Sequence, residues 1–197
     1  MKSFIVAISG ASGSIYGVRL VEELLKSGVF VHLCVSGSAF FIIKTETNID
    51  LSGKTVKETE KKVQKYFASK NIKYYSEHNL AAPVSSGSFI TEGMFVVPCS
   101  MKTLSGIAHG YANNLTERSA DVALKEGRKL ILAPREMPFS AIHLENMLKL
   151  ARLGVTIAPP IPAFYQTPKD INDIVDFIVG KILDSAGIKH NLFKRWK

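Results

Sequence analysis

Arg135 and Glu136 stand side by side between Pro134 and Pro138. Proline fixes the backbone and offers no N–H, so a cation and a carboxylate held there suit an anion clamp with an acid/base beside it. A local ion pair is the plainer use of the same two residues. Gly10-Ala11-Ser12-Gly13, followed by Ser14 and Gly17, makes a glycine-rich turn directly after an apolar run. Such a turn exposes N–H groups that can cradle a phosphate, though tight strand-helix packing also asks for glycine. Ser100-Met101-Lys102-Thr103 adds two hydroxyls and an ammonium at what reads as a helix start, a second anion-suited loop. A plain N-cap explains Ser100 or Thr103 but does not require Lys102.

The kind of phosphate can be narrowed. A dinucleotide turn reads G-x-G-x-x-G and needs an acidic residue at the end of strand two for a ribose hydroxyl. Here Ser12 takes the second glycine's place, and no Asp or Glu lies between Val29 and Thr45. The Gly-Lys-Ser/Thr of a nucleoside-triphosphate loop is missing after Gly13. A mononucleotide phosphate fits better. Further groups with chemical potential are Arg118 and Lys125, on one face of a helical stretch, and the polar loop Ser86-Gly87-Ser88. A solvated basic face is the ordinary use of the first pair. Phe164 and Tyr165 sit in a loop stiffened by four prolines, Ala158 to Pro168. That loop suits the wall of an apolar pocket, or the two rings simply pack into the core.

These residues must be positioned by an alternation of strands and helices. Apolar, β-branched runs fall at Phe4–Ser9, Val29–Ser36, Asn71–Ser76, Gly93–Cys99, Lys129–Pro134 and Val155–Pro160. Helical spacing falls at Ser14–Ser27, Ser38–Lys44, Lys57–Lys70, Leu104–Ala112, Leu115–Glu126, Ser140–Leu153 and Asp170–Ser185. About six β-α repeats predict an α/β fold, a mainly parallel sheet of about six strands with helices on both faces. Ligands of such folds bind outside the carboxyl ends of the strands, which is where the charged loops fall.

With 197 residues, one domain covering 1–197 is expected. Hydrophobic residues make up 46 %, which suits a sheet buried on both faces or an extensive contact between copies. No apolar run is long enough for a membrane span, and the N-terminal strand is too short for a secretory signal, so a cytoplasmic location is expected. Cys34 and Cys99 end strand-like runs and read as small buried residues. His143-Leu144-Glu145 resembles the start of a zinc-deaminase signature, but the Cys-x-x-Cys that should follow is missing, so no metal is expected. The net charge of +8 suits anionic ligands. It comes with no nucleic-acid-binding motif, so nucleic acid is not expected.

The strand-end motifs resemble a known family. "GASGSIYG", the block "CSMKTLSGIAHGYANNLTERSADVALKEGRKLILAPREMPFSAIHLENMLKLARLGV" and "PAFY" closely resemble the UbiX-type flavin prenyltransferases, once labelled aromatic acid decarboxylases, over essentially the whole chain. The resemblance implies a Rossmann-like three-layer α/β/α flavoprotein sandwich and a homo-oligomer, a dodecamer. It implies transfer of a dimethylallyl group from dimethylallyl phosphate to N5 and C6 of reduced FMN, without a metal, and a product used by a UbiD-type decarboxylase. By position it implies that Gly10, Ala11, Ser12, Ser36, Ser86, Ser100, Met101, Lys102, Thr103 and Arg135 hold FMN. Tyr165, Lys181, Arg118, Lys125 and Trp196 would meet the prenyl phosphate, some of them from a neighbouring subunit. Glu136, Ser12, Tyr165, Lys125, Arg118 and Glu46 would surround the reacting edge. The tail from about residue 186 to 197 would close over the site. Two rival readings compete for the same residues. A cysteine-type FMN decarboxylase of this fold would carry an Asn-containing loop in place of "PCSMKT", and a flavin carrier without chemistry would not need Glu136, Lys125 and Tyr165 together.

Overall fold

A computed structural model describes residues 1–195. Six strands form one sheet: β1 (Ser3–Ile8), β2 (Phe30–Val35), β3 (Ile72–Ser76), β4 (Gly93–Cys99), β5 (Lys129–Pro134) and β6 (Thr156–Ile157). All pairings are parallel, in the order β3-β2-β1-β4-β5-β6. Strand side chains alternate between faces, and the alternation sorts the core into two layers. Phe4, Val6, Ile8, Phe95, Val97 and Ile131 meet helices α1 (Ser14–Lys26), α2 (Gly37–Thr47), α3 (Val56–Tyr66) and α7 (Ile171–Ala186). Ile5, Ala7, Met94, Val96, Leu130 and Leu132 meet α4 (Met101–Ala108), α5 (Leu115–Lys125) and α6 (Ala141–Arg152). Both faces are covered, as near-continuous apolar strands require.

The chain winds outward from β1 through β2 to β3, then returns to the other side of β1 and continues through β5 to β6. The reversal of strand order therefore lies between β1 and β4, and a crevice opens there at the carboxyl ends. Ser9 pins the two ends together: its hydroxyl donates to the Pro98 carbonyl at 2.9 Å and accepts from Ser100 N–H at 2.8 Å. Gly17 lets α1 lie directly on β4, since a Cβ there would come within 2.2 Å of the Val97 carbonyl oxygen.

Three boundaries differ from expectation for identifiable reasons. β6 keeps two residues of the six expected; Pro159 and Pro160 have no N–H to extend the ladder. α4 begins at Met101 because Ser100 caps it, and it stops at His109 before left-handed Gly110, φ 70°. α3 ends at Tyr66, with Ala68 at φ 46° turning the chain. Cys34 and Cys99 are buried thiols. His143 is occupied locally: its Nδ1 accepts from Ser140 N–H while its own N–H donates to Ser140 Oγ, capping α6. Among the described residues, no helix is long and apolar enough to cross a membrane.

Candidate functional site

Three helices point their N-termini at one cleft of about 430 Å³ at the strand carboxyl ends. Ser36 caps α2, its Oγ accepting from Ala39 N–H at 3.2 Å. Ser100 caps α4, accepting from Thr103 N–H at 3.3 Å, and its hydroxyl lies 3.0 Å from that of Thr103. Asn114 caps α5, accepting from Glu117 N–H at 2.9 Å. The positive ends of three helix dipoles thus converge, with Lys102 and the Ser38 hydroxyl on the same rim. Amide, hydroxyl and ammonium donors in this density suit a phosphate monoester, which is what FMN presents. Gly10 forms the floor, where a Cβ would collide with Ser38 Oγ at 2.2 Å.

The glycine turn itself is used differently from the expectation of a ligand phosphate on its amides. Gly13 takes φ 89°, a left-handed conformation that glycine adopts without strain. The freed amides of Gly13 and Ser14 donate to the Glu46 carboxylate at 3.1 and 2.9 Å, and the Ser14 hydroxyl donates to it at 2.8 Å. Packing of α2 on α1 brings Glu46, in the last turn of α2, to this position. Partial burial opposes its charge, but hydrogen bonds from Ser12, Ser14 and Gly13 hold its carboxyl below the usual range.

Ser12 links this cap to the fifth strand end. Its carbonyl accepts from Arg135 Nε at 3.2 Å, and Arg135 N–H donates to the Cys99 carbonyl at 3.1 Å. Glu136 follows on an exposed turn, its Oε1 accepting from Met137 N–H at 3.0 Å. Gly10, Ser12, Ser36, Glu46, Ser100, Lys102, Thr103, Arg135 and Glu136 therefore gather around the β1/β4 crevice, with Ala11 buried beneath the turn and Met101 partly buried in α4.

Tyr165 and Phe164 are 58 % and 69 % exposed, so the loop presents both rings and does not bury them in the core. The Tyr165 ring stands edge-on to Phe177 of α7 with centroids 5.6 Å apart. Lys181 lies one turn further along α7, 4.0 Å from Asp184. Trp196 lies outside the described residues.

Ser86, Arg118 and Lys125 form a separate group. Arg118 Nε donates to the Ser85 carbonyl at 3.1 Å and pairs with Asp121 at 2.7 Å. Lys125 pairs with Glu126 at 3.1 Å beside Gly87, and Ser86 bonds to Ser88. α5 starts at the strand carboxyl ends, where Leu115 N–H donates to the Glu77 carbonyl. It runs back towards the start of β5, so its 11 residues carry Lys125 about 15 Å away from that end.

Two carboxylates in the cleft were not anticipated. Glu77 Oε1 accepts from Gly37 N–H at 2.6 Å at the start of α2. Glu117 is 3 % exposed and accepts from Asn113 N–H at 3.0 Å. The signals were present: Glu77 directly follows strand three, and Asn114 with Glu117 has capping-box spacing.

A family model described as Flavoprotein matches residues 1–183. A flavin prenyltransferase UbiX of Methanocaldococcus jannaschii is 52 % identical over 192 residues, covering 98 % of this chain and 97 % of the relative. The crystal structure of AnUbiX in complex with FMN and dimethylallyl pyrophosphate has 41 % identity and a TM-score of 0.90, covering 100 % of this chain and 97 % of that one. The structure of a dodecameric FMN-dependent UbiX-like decarboxylase from Escherichia coli O157:H7 has 44 % identity and a TM-score of 0.86, covering 99 % of each chain.

Proposed function

This chain belongs to the flavoprotein family and, within it, to the UbiX flavin prenyltransferases, and we propose that it performs their reaction as a cytoplasmic homo-oligomer. It transfers a dimethylallyl group from dimethylallyl phosphate to N5 and C6 of reduced FMN, and the product passes to a UbiD-type decarboxylase. The observation that carries this reading is the convergence of three helix N-termini on hydroxyls and Lys102 beside the Ser12–Arg135 contact, in a chain alike over its full length to flavin prenyltransferases.

The cleft between α2, α4 and α5 would hold the FMN phosphate. Gly10, Ala11, Ser12, Ser36, Met101, Thr103 and Arg135 would complete the cofactor's surroundings, with Ser86 brought in from a neighbouring copy. Reduced FMN, when bound, supplies the nucleophilic nitrogen and ring carbon. The chain supplies the rest. Breaking an allylic C–O bond requires stabilisation of the departing phosphate, and Lys181, Arg118 and Lys125, some of them brought in from a neighbouring copy, would provide positive charge for it. Tyr165 walls off water and offers its π-face to developing positive charge. Glu136, exposed and next to Arg135, takes up the proton released on ring closure. Glu46 holds Ser12 and the α1 N-terminus in register.

Anaerobic incubation with reduced FMN and dimethylallyl phosphate should yield a flavin heavier by one C5H8 unit in mass spectrometry. Its absence from a folded, FMN-loaded sample would reject the assignment. Glu136→Gln should slow turnover by about 10²-fold or more with FMN still bound; loss of FMN would assign Glu136 a structural role.

A further inference from the structure

Asp184 lies in the last turn of α7, where the helix dipole disfavours a carboxylate, and that turn holds no basic residue. Its partners come from the segment beyond the helix. Arg195 grips it with both guanidinium nitrogens, Nη1 to Oδ2 at 2.6 Å and Nη2 to Oδ1 at 2.7 Å. His190, its side chain 1 % exposed, places Nε2 3.1 Å from Oδ1. Burial opposes the Asp184 charge, and the hydrogen bonds from Arg195 and His190 overcome it and hold the carboxyl below its usual range.

This grip folds residues 190–195 back along α7. Phe193 packs on Phe177, ring centroids 5.0 Å apart, and the Arg195 guanidinium lies 5.0 Å from the Phe193 ring centre. Gly180 leaves the space: a Cβ there would meet Phe193 at 2.5 Å and His190 at 2.6 Å. The same segment reaches the aromatic loop, since Gln166 Nε2 donates to the Lys194 carbonyl at 3.1 Å. Tyr165, next in sequence, also packs on Phe177. Lys181 lies one turn before Asp184. One carboxylate therefore ties the C-terminal segment, the Tyr165 loop and Lys181 together.

We propose that Asp184 is a positioning residue for the prenyl-phosphate end of the site. It latches the C-terminal segment onto α7, and the latched segment holds the Tyr165 loop against Phe177 with Lys181 alongside. This rests on the reading above, in which Tyr165 and Lys181 meet the prenyl phosphate. A loosened latch costs binding of the prenyl donor and spares FMN, whose cleft lies at the β1/β4 crevice.

The test is Asp184→Asn in the full-length protein, with Asp184→Glu as the conservative variant. The KM for dimethylallyl phosphate should rise about tenfold in Asp184→Asn with kcat and the FMN Kd changed less than about twofold, and Asp184→Glu should recover part of the loss. Tryptic cleavage after Lys189 and Lys194, followed by mass spectrometry, should speed up in parallel. Should Asp184→Asn fold poorly, Arg195→Gln removes the same grip from the other side and should give the same KM shift. Unchanged cleavage in a folded variant overturns the latch, and faster cleavage with unchanged KM overturns the link to the prenyl site. An inactive wild-type protein would reject the prenyltransferase reading, while the cleavage rates would still decide whether Asp184 latches the segment.

Discussion

His32 is a polar residue within the core: it is 6 % exposed in β2, and the rings of Phe30, Tyr75 and Phe89 lie 4.9, 5.9 and 5.0 Å from its own. Its Nδ1 meets the Tyr75 hydroxyl at 3.3 Å. Burial lowers its pKa from 6.5 to about 4. The unfolded chain therefore binds a proton near pH 6.5 that the folded chain refuses until about pH 4. Its contribution is present in full above pH 6.5 and is lost as the pH falls towards 4. Between pH 7 and pH 5 this amounts to about 2 kcal/mol. Urea midpoints at the two pH values should show that loss, and His32→Phe should flatten it. Parallel curves for the two proteins would show that other groups carry the pH dependence. Glu46 illustrates the limit of sequence at the same scale. Gly13 and Ser14 were legible as amides awaiting an anion. Glu46 lies 32 residues from Ser14, and only the packing of α2 on α1 brings it there.

The helices and strands were largely legible because their apolar spacing is unambiguous and their ends carry chemistry. Ser100 and Ser140 are caps, and Gly28 and Gly127, φ 73° and 63°, are stops. β6 was overestimated because its apolar composition continues into prolines that cannot pair. One element depends on a residue whose role local spacing does not reveal. Gly17 sits within α1, where glycine costs helix stability, yet it permits the contact of α1 with the Val97 carbonyl. Gly17→Ala should improve helix propensity and still destabilise the protein by about 2–4 kcal/mol, because α1 must move off the sheet. The fall should appear in the urea midpoint. A neutral or stabilised variant would mean that α1 shifts without cost, and the Ser12 turn at its start should then keep its FMN affinity.

At the scale of the molecule, the strand ends read in sequence do meet: the turns after β1, β2, β4 and β5 converge on one crevice. Parallel topology makes that legible, since every loop after a strand emerges on the same side. Lys125 and Lys181 are the exceptions, because a helix that starts at that side must carry its last residues to the other; Ala186, at the end of α7, already meets Lys129 at the start of β5. The surface offers a way to use them. Met137, Ile142, Leu148, Leu153 and Ile161 are exposed at 89, 66, 51, 62 and 66 %, apolar side chains of the kind that copies of a chain bury against one another. In the proposed homo-oligomer, Lys125 of one copy is expected to serve the Glu136 of another, and complementation tests this. Lys125→Ala and Glu136→Gln should each abolish most turnover. Co-expressed with different tags and purified through both, the two variants should recover about a quarter of wild-type activity, the fraction of sites that pair an intact Glu136 with an intact Lys125. If Lys125 acted within its own chain, every site in the mixture would keep one defect and no activity would return.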